Sequence, residues 1–169
     1  MGFLSRIKRL VSGQTTRTGN VDIYAPISGK IVDIETVPDP VFSEKIVGNG
    51  IAIDPKGDTI LSPIDGVIGK IFETNHAFSI ESPHGLEIFV HFGIGTVELR
   101  GAGFKRLAEE GQEVKSGDPI ITFDLAYLKQ HADSVLTPVL LANMEDIQGL
   151  EKRHGQIEAG KDVIFSAIL

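Results

Sequence analysis

From residue 20 onward the chain never stays apolar for long. Short runs rich in Ile, Val and Phe are broken every few residues by Gly, Pro, Asp or Asn. Runs of that length bounded by turn formers read as β-strands rather than helices. The clearest cover 21–25, 30–34, 51–54, 67–73, 78–81, 86–91, 119–123, 136–141 and 162–167. Nineteen glycines suit such a design, because many tight turns need positive φ. Only 125–132 carries a helical pattern, with Asp124 as its N-cap. The pattern predicts an all-β fold, a sandwich or partly closed barrel with one short helix.

An internal repeat supports that reading. APISGKIVDIETV begins at Ala25 and SPIDGVIGKIFET at Ser62. Pro26, Ile27, Gly29, Ile31 and Ile34 match Pro63, Ile64, Gly66, Ile68 and Ile71 in register. Each copy is a Pro-led turn, a glycine, then a strand. The repeat predicts one hairpin used twice, its copies packed face to face. Chance turn chemistry is the alternative, and five matches in register weigh against it.

A chain of 169 residues with 41% hydrophobic and 23% charged residues can build one core without staples. There are no cysteines, which removes disulfides, thiolate metal sites and cysteine nucleophiles together. No apolar run reaches the roughly 20 residues that cross a bilayer, and no secretory signal is evident. A cytoplasmic protein is expected. The net charge of −7 argues against nucleic acid, whose phosphates want a basic surface.

That charge is unevenly placed. Arg6, Lys8, Arg9 and Arg17, with no acid among them, give residues 1–18 a charge of +4, so residues 19–169 carry −11. The sequence therefore divides into a flexible basic arm, 1–18, and a single β-sandwich domain, 19–169. Phe3, Leu4, Ile7, Leu10 and Val11 share one helical face. Three readings of the arm stand: a short helix on an anionic membrane surface, a disordered tail, or an organelle transit peptide. Arg6 stands where N-myristoylation wants Ser or Thr.

Of five histidines, three read as solvated. His84 lies in a Ser-Pro-His-Gly turn, His131 closes the helix where a cation suits the dipole, and His154 lies in a polar stretch. His91 ends the strand-like segment LEIFVH, followed by FGIG. Alternation puts Phe89 and His91 on one face and Ile88, Val90 and Phe92 on the other. A half-dry imidazole there stays neutral, as a nucleophile must. His76, in FETNHAF, is also flanked by apolar rings. The plain reading is a pair of hydrogen-bonded half-core histidines. Two functional readings compete with it. In one, a histidine nitrogen takes a phosphoryl group while the second histidine steadies its oxygens. In the other both bind zinc, which would want one or two further ligands. Gly155 to Asp162 comes close to a phosphate-binding loop, but Asp162 replaces the magnesium-binding hydroxyl and a strand follows where a helix is required.

IYAPISGKIVDIETVPD from Ile23, VFSEKIVGNGIAI from Val41, GKIFETNHAFSIES from Gly69 and EIFVHFGIGTVEL from Glu87 together resemble one family. GFKRLAEEGQEVKSGD from Gly103 and LTPVLLANM from Leu136 continue the likeness. The chain is similar to the glucose-specific enzyme IIA component of the bacterial phosphoenolpyruvate-dependent sugar phosphotransferase system. The resemblance implies an antiparallel β-sandwich and a monomeric, stoichiometric phosphohistidine carrier. It implies that His91 is phosphorylated on Nε2, that His76 stabilises the phosphoryl group, and that Thr74 orients the pair. Val41, Phe42, Ile46, Val47, Phe72, Phe78, Phe89 and Val97 would line an apolar docking depression, with Asp39 and Glu98 also binding partners.

The implied donor is phosphorylated HPr, and the implied acceptor is the IIB domain of a glucose permease. No cofactor is implied for transfer. The unphosphorylated form would regulate permeases and glycerol kinase, and in the latter complex His76 and His91 would share zinc with a partner carboxylate. The rival is a purely regulatory binding protein that never carries phosphate. One departure stands out. The family usually has aspartate, facing a basic residue of HPr, where this chain has Gly95. Its loss is expected to weaken recognition by ~0.2–1 kcal/mol, as for an exposed pair. Pro40, where relatives often carry an aliphatic residue, is expected to stiffen the rim.

Overall fold

A computed structural model describes residues 19–169, so the arm over 1–18 and its expected helix lie outside the described residues. The rest is antiparallel sheet. The largest sheet has eight strands: β2 (Ser28–Asp33), β3 (Asn49–Lys56), β5 (Gly66–Ile71), β6 (Ala77–Glu81), β7 (Glu87–His91), β9 (Glu113–Val114), β11 (Thr137–Leu141) and β13 (Gly155–Ile157). Their spatial order is β13-β2-β3-β11-β7-β6-β5-β9, and every neighbouring pair is antiparallel. Two three-stranded sheets complete the fold. One sets β14 (Val163–Ile168) between β1 (Asn20–Tyr24) and β12 (Gly149–Lys152). The other sets β10 (Pro119–Phe123) between β4 (Thr59–Leu61) and β8 (Phe104–Arg106). This is the expected β-sandwich. Among the described residues no ladder closes it into a barrel.

The repeat takes a form that the sequence did not foretell. Its strands, β2 and β5, lie near opposite ends of one sheet rather than in two facing hairpins. The copies still meet. The amide of Tyr24 donates to the Pro63 carbonyl at 2.9 Å, and that of Leu61 donates to the Pro26 carbonyl at 2.8 Å. Each donor stands two residues before its own copy's proline, so the bonds are reciprocal and relate the halves by an approximate two-fold. The sheet must curl for its ends to meet this way.

The central strands are covered on both faces, which is why β11, TPVLL, is buried throughout. On one face lies the main core, with Ile88, Val90, Phe78, Phe92 and Phe165 among its members. On the other, Ile34, Val37, Phe42, Ala52, Ile94 and Leu140 form a smaller cluster, against which Phe89 packs. That smaller cluster is the floor of the site.

The expected helix is present as Leu125–His131, its N-cap Asp124 accepting from the amide of Tyr127 at 3.1 Å. A second helix, α1 (Pro40–Ser43), was not anticipated because one turn is too short to show periodicity. Asp39 caps it, accepting from the amide of Val41 at 2.9 Å, and Pro40 fills the first helical position, where its missing N–H costs nothing. Single 3-10 turns occupy Ile34–Thr36, Thr96–Leu99 and Met144–Asp146. Gly155 to Asp162 is a strand and a turn leading into β14, with no helix to receive a nucleotide phosphate.

Candidate functional site

The site is built where β6 and β7 pair. Their register sets Ala77 opposite His91. His76, one residue before β6, therefore lies beside His91, the last residue of β7. The carbonyl of His76 accepts from the amide of Phe92 at 2.7 Å, which locks the two segments together. The imidazole centroids are 4.7 Å apart and the rings nearly perpendicular, at 83°.

Each ring has one nitrogen held. Nδ1 of His91 lies 2.8 Å from the carbonyl oxygen of Gly93. A carbonyl can only accept, so Nδ1 carries the proton and Nε2 keeps the lone pair. Nδ1 of His76 lies 2.5 Å from the hydroxyl of Thr74. That threonine sits in the turn 72–77, closed by the Phe72 amide on the Ala77 carbonyl and the Asn75 amide on the Phe72 carbonyl, at 3.0 and 2.8 Å. Asn75 takes the left-handed conformation, φ 57°. Arg106, on β8, clamps this turn. Its Nε donates to Oδ1 of Asn75 at 3.0 Å, and its Nη2 donates to the Phe72 carbonyl at 3.2 Å and the Ile71 carbonyl at 3.4 Å.

Aromatic rings surround the pair. Phe42 reaches His91 at 4.9 Å between centroids, and Phe89 reaches it at 6.0 Å. Phe72 meets His76 edge-on at 5.4 Å and Phe89 at 5.9 Å. His76 is only 2% exposed, while His91 is half-buried and open to the surface. Burial pushes the His76 imidazole down to about 4, and the nearby His91 adds to the shift. Burial also lowers His91, against the opposing pull of the Gly93 carbonyl and the negative charge of Asp39. Both rings are neutral near pH 7, so a nucleophilic nitrogen is available without prior deprotonation.

Around the rings the surface is unusually greasy. Val41, Ile46, Val47 and Val97 expose between 39% and 67% of their area. Exposed aliphatic side chains of this kind are what a protein partner can cover. Glu98 is exposed beside Val97. Phe78 is a correction. It was expected among the lining residues, but it is fully buried in the main core, because its partner across the ladder is Val90 and both point inward. A groove of about 350 Å³ runs off from Val47 and Phe89 along Gly69, Ser79 and Ala142. Neither imidazole lines this groove.

Three features escaped the sequence reading. The Gly93 carbonyl fixes the His91 tautomer, and Arg106 clamps the His76 turn. The third is at Gly95, φ 76°, where an added Cβ would lie 2.7 Å from Cγ of Asp133. The Asp133 carboxylate thus fills the space a side chain at residue 95 would need. Of the other histidines, His131 stacks on Tyr127 at 4.1 Å, and His84 and His154 are exposed, all outside the site. Among the described residues no group of three or more His, Cys, Asp or Glu is placed to hold a metal ion, and no helix is long and apolar enough to cross a membrane.

Residues 21–147 match the family model described as phosphoenolpyruvate-dependent sugar phosphotransferase system, EIIA 1. The chain is 57% identical to the PTS system glucose-specific EIIA component of Haemophilus influenzae, over 94% of this chain and 95% of that protein. It is 42% identical to part of a PTS system glucose-specific EIICBA component of Staphylococcus carnosus, covering 91% of this chain and 23% of that longer protein. Among solved structures, the glucose permease IIA from Mycoplasma capricolum superposes with a TM-score of 0.82 at 31% identity, over 90% of this chain and 99% of that one.

Proposed function

The chain belongs to the EIIA 1 family of the phosphoenolpyruvate-dependent sugar phosphotransferase system, and on that premise we propose that it carries a phosphoryl group on Nε2 of His91. The donor is phospho-HPr and the acceptor is the IIB domain of a sugar permease. The observation that carries this reading is the Gly93 carbonyl on Nδ1 of His91, which leaves Nε2 as the nucleophilic nitrogen.

The lone pair on Nε2 attacks phosphorus. The donor's N–P bond breaks, its electron pair returning to the donor imidazole, and a new P–Nε2 bond forms. No proton need leave His91, so its ring becomes positively charged while it holds the phosphoryl group. The Gly93 carbonyl and the Asp39 carboxylate, which favour the protonated ring, favour this cationic ring for the same reason. With Thr74 donating to Nδ1 of His76, Nε2 of His76 carries the hydrogen and donates to a phosphoryl oxygen. Low basicity keeps His76 in this neutral form. Onward transfer reverses the first step, with the acceptor's nucleophile attacking phosphorus and the pair returning to Nε2. The same Staphylococcus carnosus likeness, to a protein that joins A to B and C parts, supports a permease domain as acceptor.

Val41, Phe42, Ile46, Val47, Phe72, Phe89 and Val97 form the apolar docking face, and Asp39 and Glu98 lie on its acidic rim. Regulation of permeases and of glycerol kinase would use this face in the unphosphorylated state. Two imidazoles fall short of the three or four ligands zinc requires, so zinc enters no step of transfer and would need a partner's carboxylate. Incubation with phosphoenolpyruvate, enzyme I and HPr tests the proposal. One acid-labile, base-stable phosphate per chain is expected, abolished by His91→Ala. His76→Ala accepts phosphate but passes it on slowly. A chain that binds its targets yet is never labelled is a regulatory protein only.

A further inference from the structure

We propose that Asp133 is a recognition residue of the docking face, its carboxylate presented to a lysine or arginine of the phosphoryl donor from the space above Gly95. This rests on the transfer reading above and extends it to a residue outside the histidine strands.

The placement is a matter of packing. Gly95 is left-handed at φ 76°, a conformation L side chains rarely adopt, and the Asp133 carboxyl carbon would be 2.7 Å from any Cβ there. No acid can extend from residue 95 while Asp133 stands where it does. The two segments are tied by backbone bonds. The amide of Asp133 donates to the Ile94 carbonyl at 3.0 Å, and the amide of Ile94 donates to the Ser134 carbonyl at 2.8 Å. The loop that holds Asp133 in place is the loop whose Gly93 carbonyl fixes His91 and whose continuation exposes Val97. Asp133 is therefore registered to the reacting ring through a few hydrogen bonds.

Asp133 is exposed, and its side chain makes no hydrogen bond or ion pair among the described residues. Asp39 differs, since one of its oxygens caps α1. A cation arriving at Asp133 breaks no hydrogen bond or ion pair of that side chain among the described residues. Residues 19–169 carry −11, so the complementary partner is basic, and a charge fixed at the rim steers it onto the apolar hollow. The charge missing at residue 95 is thus supplied from residue 133, and recognition need not weaken as the sequence alone suggested.

The test is the rate of phosphoryl transfer from phospho-HPr to wild type and to Asp133→Asn, at about 50 and about 300 mM salt. Asparagine keeps the shape and removes the charge. A two- to five-fold rise in KM for phospho-HPr is expected at low salt, with kcat held, shrinking as salt screens the pair. In the double variant Gly95→Asp/Asp133→Gly the space is emptied and the charge moved back, and KM should return toward wild type. Equal KM values for wild type and Asp133→Asn at low salt overturn the proposal. So does a rise that salt does not reduce, or one confined to transfer to the IIB domain. If wild type itself takes no phosphate, the transfer reading fails first, and that outcome is distinct from a wild type that labels alongside an indifferent Asp133→Asn.

Discussion

His76 titrates in a window that makes it a probe of its own environment. Burial and the neighbouring His91 hold its folded imidazole at about 4, whereas an unfolded histidine titrates near ~6.5. The unfolded chain therefore binds the proton first. The contribution to stability is complete above pH ~6.5 and is lost as pH falls toward 4. Each pH unit of that gap is worth about 1 kcal/mol, so the whole is worth ~3 kcal/mol, and most of it is gone by pH 4.5. Many carboxylates also titrate there, so a difference is needed. His76→Gln cannot be protonated, and its amide can still meet the Thr74 hydroxyl. Urea unfolding of both proteins from pH 7.5 to 4.5 should show the stability of wild type, relative to the variant, falling by roughly 2–3 kcal/mol. Curves that stay parallel within ~0.5 kcal/mol would refute the buried, low-basicity His76 on which the hydrogen-bond donor role depends.

Other perturbations separate the site from the scaffold. Arg106→Met leaves three acceptors of the 71–75 turn without their donor; a loss of ~1–3 kcal/mol in urea unfolding is expected, with slower onward transfer. Phe78→Ala should cost ~3–5 kcal/mol as a core deletion, whereas Ile46→Ala, 67% exposed, should leave the unfolding midpoint near wild type and weaken partner binding instead. Equal stability losses at Phe78 and Ile46 would contradict the assignment of one to the core and the other to the docking face.

Much of this fold is written locally. The Ile-, Val- and Phe-rich runs became strands because their alternation matches a sheet with a buried face, as Ile88 and Val90 show against Phe89 and His91. The inward turn of Phe78 follows from the register: a β6–β7 hairpin closing around Ser82–Leu86 pairs Phe78 with Val90. That same register brings His76 to His91. What stayed hidden depends on contacts between distant segments. Nothing near Thr74 announces that Arg106 will hold its turn, and nothing near Gly95 announces Asp133. The two repeat copies looked like facing hairpins because local sequence does not say that β11 and β7 will enter the sheet between them. Asp39 caps α1 and Pro40 opens it, but one helical turn lacks the length to show a period in the sequence.

The claim beneath the whole account is that phosphate resides on one nitrogen of one ring. Phosphorylated protein labelled with ¹⁵N in its histidines should show phosphorus–nitrogen coupling at Nε2 of His91, with Nδ1 of that ring still protonated. Coupling at Nδ1 of His91, or at either nitrogen of His76, would contradict it.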